Sequence, residues 1–400
     1  MITPFVFSQN VSSIRTIDSD DTDFSDLSFL SNVLQGNRIV SLGEQSHNDG
    51  AAFDSKVRLI KYLHEELNYN VIAFESGLYD CSKANDLIEN REIGNDTNYL
   101  FQAIFRIWDT KEVDELAAYL DETQKTSNPL ILAGFDCQFA GRFSKKNLSI
   151  DFNKLIDDIE ISANVKLGID RNELDESLKH LVKYSNYHNK LSSSDTTFIS
   201  LTITKLLTTI EKYKLNNDSI DYWKQLMQSI KVDYRRKYMT SDRGNTIRDS
   251  TMAENIFWLS NKKFKDEKII LWAHNMHLIK ESKSIVYGYE RDRTTTGEYL
   301  KMRFSDEYYF IAFTSYKGSA VRVLGMNFKV EKPKEKSIEQ FFHQKKESFL
   351  FLDFRGIKEK GNPYFFNSKI NNHTPLDMDL YKMVDGIFYI EKMYPATRKY

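Results

Sequence analysis

Two cysteines and six prolines in 400 residues, and a formal charge of only -2, exclude several classes of protein before any motif is considered. Two thiols, Cys81 and Cys137, make no disulfide framework, so the chain reads as one of a reducing compartment and cytoplasmic by default. Nearly balanced charge excludes nucleic acid as an expected partner. No apolar run approaches the ~20 residues that cross a bilayer, so no membrane span is expected. Met1 to Val6 lacks a basic region followed by a long apolar one, and is not read as a secretory signal. Chemical signatures are missing too: there is no Gly-x-Ser-x-Gly elbow, no Cys-x-x-Cys, no His-Glu-x-x-His and no glycine-rich phosphate loop. Serine nucleophiles, the common zinc motifs and nucleotide chemistry are therefore disfavoured.

What is present is a recurring pattern of apolar runs tipped with titratable residues. Arg38 to Leu42 leads through Gly43 to Glu44 and His47; Asn70 to Phe74 ends in Glu75; Leu130 to Phe135 ends in Asp136; Lys268 to Ala273 ends in His274 and His277. If these runs are parallel neighbours in one sheet, their ends open on one edge, where open α/β folds place their ligands. Between the first two, Val57, Leu59, Ile60, Leu63 and Leu67 have helical spacing, so the segment reads as a strand, a helix and a strand.

The fold class expected is α/β, with a mostly parallel central sheet flanked by helices and a helical insertion. Residues 1–150 and 241–400 are read as two parts of the α/β core, and 151–240 as the insertion. In that insertion apolar residues recur every three or four positions, as at Leu174, Leu178, Leu181 and Val182, at Leu206, Leu207 and Ile210, and at Trp223, Leu226, Met227 and Ile230. Turns are expected near Ser192 to Asp195 and Asn216 to Asp218. After the insertion, further strands are expected at Tyr308 to Phe313, Ser348 to Phe354 and Gly386 to Ile390.

His47 is the candidate general base, because an imidazole with a solution pKa of ~6.5 takes a proton from water near neutral pH when a carboxylate orients it. Glu44 or Glu75 supplies that carboxylate. His274 and His277 orient a water or donate to an oxyanion; alternatively they join Glu44, His47 and Glu75 as metal ligands. His64, His180, His188, His343 and His373 are read as histidines without a catalytic role. Lys56 and Arg58 place a cation near a substrate carbonyl or carboxylate, and two apart on a helix only one is expected to face the cleft. Trp108, with Tyr79 and Trp272, offers apolar walls, and Asp136 and Arg248 complete the substrate-binding candidates.

Taken together, Gly43-Glu44-Gln45-Ser46-His47, the helix with Lys56 and Arg58, Ala73-Phe74-Glu75-Ser76, Arg248-Asp249 with Met252 to Asn255, and Trp272 to His277 resemble the erythromycin esterase family. The resemblance implies an α/β core with a helical portion, and a hydrolase that activates water without a covalent serine intermediate. The family's best-understood members open a macrolide lactone and need no metal, so a small-molecule ester or lactone is the implied partner and no cofactor is expected. By position, His47 is the implied general base, Glu44 and Glu75 its acidic partners, and His274 and His277 supporting histidines. Lys56 stands where the macrolide-hydrolysing members have Arg, and Lys lacks the planar bidentate fork. Those members read Gly-Glu-Gly-Ala-His, whereas Gly-Glu-Gln-Ser-His is typical of relatives with unassigned substrates. Asn48 replaces a common Gly, and Asn tolerates the positive φ expected of that turn. Two alternatives remain: a metal-dependent hydrolase built on the same Glu and His cluster, and a ligand-binding protein without turnover.

Overall fold

The runs Ile39–Leu42 and Ile269–Trp272 are buried at every position, which is why neither alternates polar with apolar: both faces of each strand are covered. The computed structural model describes residues 10–90, 98–183, 193–321, 325–355 and 365–399. In chain order its strands are β1 (Val11–Ile14), β2 (Ile39–Leu42), β3 (Val71–Gly77), β4 (Ile131–Asp136), β5 (Ile269–Trp272), β6 (Tyr308–Val321), β7 (Asn327–Val330), β8 (Phe349–Asp353), β9 (Phe365–Asn371), β10 (Thr374–Asp379) and β11 (Gly386–Met393). The chain divides into two compact units. One comprises Met1–Ala73, Arg106–Ile131 and Phe264–Tyr400, the other Phe74–Phe105 and Leu132–Lys263.

The first unit carries a central sheet in the order β1-β8-β11-β6-β2-β5, with β7 beside β6. Pairs β11/β6, β6/β2 and β2/β5 are parallel, so the fold is α/β with a largely parallel sheet flanked by helices. At the other edge, β1/β8 and β8/β11 are antiparallel. The first residues of β3 and β4 also belong to this unit: Val71 N donates to Lys268 O and Ile131 N to Asn70 O, continuing the sheet as β5-β3-β4. Strands β9 and β10 form a separate antiparallel hairpin. This hairpin, β1 and β7 are strands that the apolar pattern of the sequence does not reveal.

Register fixes where the motifs emerge. Leu42 faces both Trp272 and Ile311, so the chain leaves β2 and β5 at the same edge. The helix Gly50–Leu67 follows β2, buries Val57, Ile60 and Leu63 completely, and ends at Asn68 in the left-handed region with φ 56°. Asn68 N donates to Leu63 O, closing the helix as a left-handed cap.

In the second unit the helices are Leu78–Glu89, Leu100–Ala103, Arg142–Ala163, Arg171–Lys183, Ser193–Lys212, Asp218–Arg236 and Ser241–Trp258. The spaced residues Leu174, Leu178, Leu181, Leu206, Ile210, Leu226, Met227 and Ile230 are buried, as an amphipathic stripe requires. Asn217 Oδ1 accepts from Ile220 N and caps its helix, at the break expected there. Near the break expected at Ser192 to Asp195, a helix begins at Ser193 with Asp195 in its first turn, and Ser192 lies outside the described residues. Cys81 and Cys137 are buried free thiols. Among the described residues no helix is long and apolar enough to cross a membrane.

Gly43 is the closest approach at the site-bearing edge. A Cβ built there lies 1.9 Å from Asn275 Oδ1 and 3.1 Å from the Phe310 ring. Because Asn275 in turn binds Phe313 O and Ile370 O through Nδ2, it has no room to yield. Gly43→Ala is expected to destabilise the protein by ~1–3 kcal/mol through overpacking, measured as a lower denaturant midpoint at unchanged slope.

Candidate active site

Glu44 is the centre of the cluster in the first unit. It leaves the end of β2 with no exposed surface, and three donors from three segments converge on its carboxylate. Oε1 accepts from His47 Nδ1 at 2.9 Å and from Trp108 Nε1 at 2.8 Å; Oε2 accepts from Lys56 Nζ at 2.6 Å. Burial by itself raises the pKa of a carboxyl group. Here the Lys56 charge, followed by the hydrogen bond from His47, outweighs it and holds Glu44 at about 2. The carboxylate is therefore ionised throughout the physiological range.

His47 is arranged as a base. With Nδ1–H donating to Glu44, the other nitrogen is left with its lone pair, and among the described residues no hydrogen bond reaches Nε2. The side chain is 22% exposed while that of Glu44 is 0%, so water reaches the base and not its orienting carboxylate. Trp108 meets the His47 ring edge-on at 5.6 Å between centroids, and the His274 ring lies 5.0 Å away.

His274 is held by both nitrogens. Nδ1 accepts from Met276 N at 3.1 Å, and Nε2 lies 2.8 Å from Gln45 O. An acceptor at Nδ1 leaves the proton on Nε2, which makes the ring a neutral brace between the β2 and β5 turns. His277 Nδ1 lies 2.8 Å from Arg293 Nη2; a guanidinium only donates, so this nitrogen accepts.

Lys56 and Arg58 depart from the expectation of substrate contacts. Lys56 is wholly buried, with its ammonium 4.2 Å from the Trp272 ring centre and paired to Glu44, so it serves as counter-ion to the carboxylate. Arg58 is 1% exposed and directs its guanidinium to Asp26, Thr16 O and Asp23 O. Trp108 is more than an apolar wall, because its indole N–H donates to Glu44. Asn48 does not take a positive φ, which corrects the expectation for that turn. Its Oδ1 instead accepts from Arg398 Nη2 at 2.7 Å.

In the second unit Glu75, Asp136 and Arg248 are bonded to one another. Glu75 belongs to β3 and Asp136 ends the neighbouring β4, while Arg248 comes from the helix Ser241–Trp258. Arg248 Nη2 donates to Glu75 Oε1 at 2.6 Å and to Asp136 Oδ2 at 2.5 Å, and Nε lies 3.0 Å from Asp136 Oδ2. All three are buried. Among the described residues no group of three or more His, Cys, Asp or Glu is arranged to hold a metal ion.

His64 and Tyr119, His180 and Asp195, and His343 and Glu391 are paired. His188 lies outside the described residues. His373, read from sequence as inert, is bonded to Asp49 two residues after His47. Sequence offers no signal for this contact, nor for the Lys56 and Trp108 bonds to Glu44, because each joins residues whose spacing carries no local pattern.

Two outcomes follow from the buried carboxylate. Lys56→Met leaves Glu44 without its counter-ion and is expected to cost ~3–5 kcal/mol at neutral pH, measured by denaturant unfolding. In the wild type the folded pKa lies below the ordinary 4.5, so the contribution of Glu44 to stability is fully present above about 4.5 and is lost as the pH falls toward about 2. Unfolding free energies measured down this range should decline, and in Lys56→Met, where the folded pKa of Glu44 rises toward or past its ordinary value, the decline should shrink or reverse.

Residues 64–391 match the erythromycin esterase family. The chain is 28% identical to YbfO of Bacillus subtilis (strain 168), which bears a provisional name as a hydrolase; the match spans 96% of this chain and 90% of that one. It is 24% identical to the type II erythromycin esterase of Escherichia coli, covering 93% of each. Its fold is similar to that of a mutant of the erythromycin esterase EreC in its open conformation, with a TM-score of 0.70, 19% identity, and coverage of 96% of this chain and 98% of that one. The family supports a hydrolase of the esterase type, acting on a small-molecule ester. By the extent of that match, the chain belongs to the erythromycin esterase family.

Proposed function

We propose that the protein hydrolyses a carboxylic ester or lactone, a macrolide lactone among the candidates, by water that His47 activates directly. The observation that carries this reading is the Glu44–His47 pair, with Nδ1 fixed on an ionised carboxylate and the imidazole side chain partly exposed. Nε2 takes a proton from water as the water oxygen bonds to the acyl carbon. Glu44 stabilises the imidazolium so formed, and its depressed pKa means that it keeps its charge instead of accepting the proton. When the tetrahedral intermediate collapses, the carbon–oxygen bond to the alcohol breaks and the imidazolium returns the proton to the leaving alkoxide. One water is added, and no bond to the protein forms.

In this reading the reaction takes no metal, and Trp108 and Lys56 act through Glu44 by holding it charged and correctly turned. A neutral His274 fixes the turn that carries Gln45 beside the base.

Mass spectrometry of wild type and His47→Ala on a panel of macrolides and simple lactones, with and without chelator, tests it. Wild type is expected to add one water to a member of the panel regardless of chelator, and His47→Ala to fall by roughly 10²–10⁴-fold while still folding and unfolding cooperatively, at a lower melting temperature because Glu44 loses one donor. Full turnover by His47→Ala overturns the assignment of the base, and loss on chelation overturns the metal-free route.

A further inference from the structure

The tip of the β9–β10 hairpin is bonded to the turns that carry the base. Gln45 Nε2 donates to Lys369 O at 2.6 Å, Asn275 Nδ2 to Ile370 O at 2.7 Å, and Asn372 N to Gln45 O at 2.8 Å. His373 Nε2 lies 2.9 Å from Asp49 Oδ1, and both side chains are buried. Asn372 and His373 stand in the left-handed region, with φ 47° and 56°. Thr374 pairs with Asn371, so these two residues form the two-residue turn of the hairpin, which requires that region at both positions and so fixes the direction in which His373 leaves the tip.

Asp49 is the other half of the contact. It precedes the helix Gly50–Leu67, where a carboxylate commonly caps the first turn, yet its side chain makes no cap bond. Oδ2 accepts from Ser46 N at 3.0 Å instead, closing the four-residue turn that contains His47. Ser315 Oγ lies 3.4 Å from His373 Nδ1. A hydroxyl donating there leaves the ring proton on Nε2, aimed at Asp49. Ser, His and Asp in this order resemble a hydrolytic triad, but Ser315 has no exposed surface and no substrate carbonyl reaches it.

We propose that His373 is a positioning residue for the base: by holding Asp49 it fixes the Ser46–Asp49 turn, and with it the contact of His47 with Glu44 and the direction of Nε2. The role rests on the reading of His47 as the base. It places the hairpin tip in the machinery of the reaction, although none of its atoms touches the reacting ones.

The test uses His373→Ala, His373→Gln and Ser315→Ala in the full chain, with two readouts. The first is the proton resonance of the His47 Nδ1–H, which is hydrogen-bonded to Glu44 and needs no substrate. The second is the split between kcat and KM on whichever ester the wild type hydrolyses. His373→Ala is expected to broaden or lose the resonance and to lower kcat roughly ten- to a hundredfold at unchanged KM, the signature of a misaimed base. His373→Gln, whose amide N–H reaches toward Asp49, is expected to restore both. A wild-type resonance and kcat in His373→Ala overturn the proposal, as does a His373→Gln variant as impaired as His373→Ala at equal melting temperature. Should His373→Ala fail to fold, Ser315→Ala decides: a displaced resonance supports the role and an unmoved one overturns it. A wild type that hydrolyses no ester counts against the proposed reaction alone, because the resonance still reports on the positioning.

Discussion

A fully buried carboxylate that stays ionised is the constraint on which the site depends. Glu44 loses all of its hydration, and that loss has to be offset within the fold. The offset comes from Lys56 on the following helix, from Trp108 beyond β3, and from His47 three residues on, each donating one hydrogen bond. Removing any one donor leaves a charge in a dry environment, so the three segments are coupled through the carboxylate. The same arrangement serves function: a carboxylate held well below its ordinary pKa does not compete with the imidazole for a proton.

The sheet provides the geometry for this coupling. Parallel neighbours β2 and β5 are in register at Leu42 and Trp272, so their following turns leave the same edge and touch through Asn275 N and Glu44 O. His274 then braces the first turn from the second. The β9–β10 hairpin approaches that edge with a left-handed tip and adds bonds to Gln45, Asp49 and Asn275. Backbone carbonyls and buried polar side chains thus hold the turn that carries the base, while the side chain of the base itself stays partly exposed.

Gln45 gives the departure from the macrolide-type motif a physical content. Its amide reaches Lys369 O and its backbone carbonyl receives Asn372 N, two bonds that join the motif to the hairpin. A glycine at that position has no side chain with which to make the first of them. The cluster of Glu75, Asp136 and Arg248 in the second unit follows a comparable rule, with buried carboxylates accompanied by a cation.

The sequence by itself determined what local pattern and short range can encode. Apolar runs without alternation marked β2, β3, β4 and β5 as strands, their tips marked Glu44, His47, Glu75, Asp136 and His274, and three- and four-residue spacing marked the helices from Arg171 to Arg236. The dyad of Glu44 and His47 was legible because its members are three residues apart. Only the tertiary structure decided which cation answers the carboxylate. Lys56 and Arg58 are both basic and both buried, and the helix turns one to Glu44 and the other to Asp26, a distinction of some 200° around the axis that composition does not carry. It also decided that His373, more than 300 positions away, reaches Asp49. Hydrophobic periodicity reports which face of an element is buried. A single hydrogen bond between distant polar groups leaves no period, so it becomes visible only when the chain has closed around it.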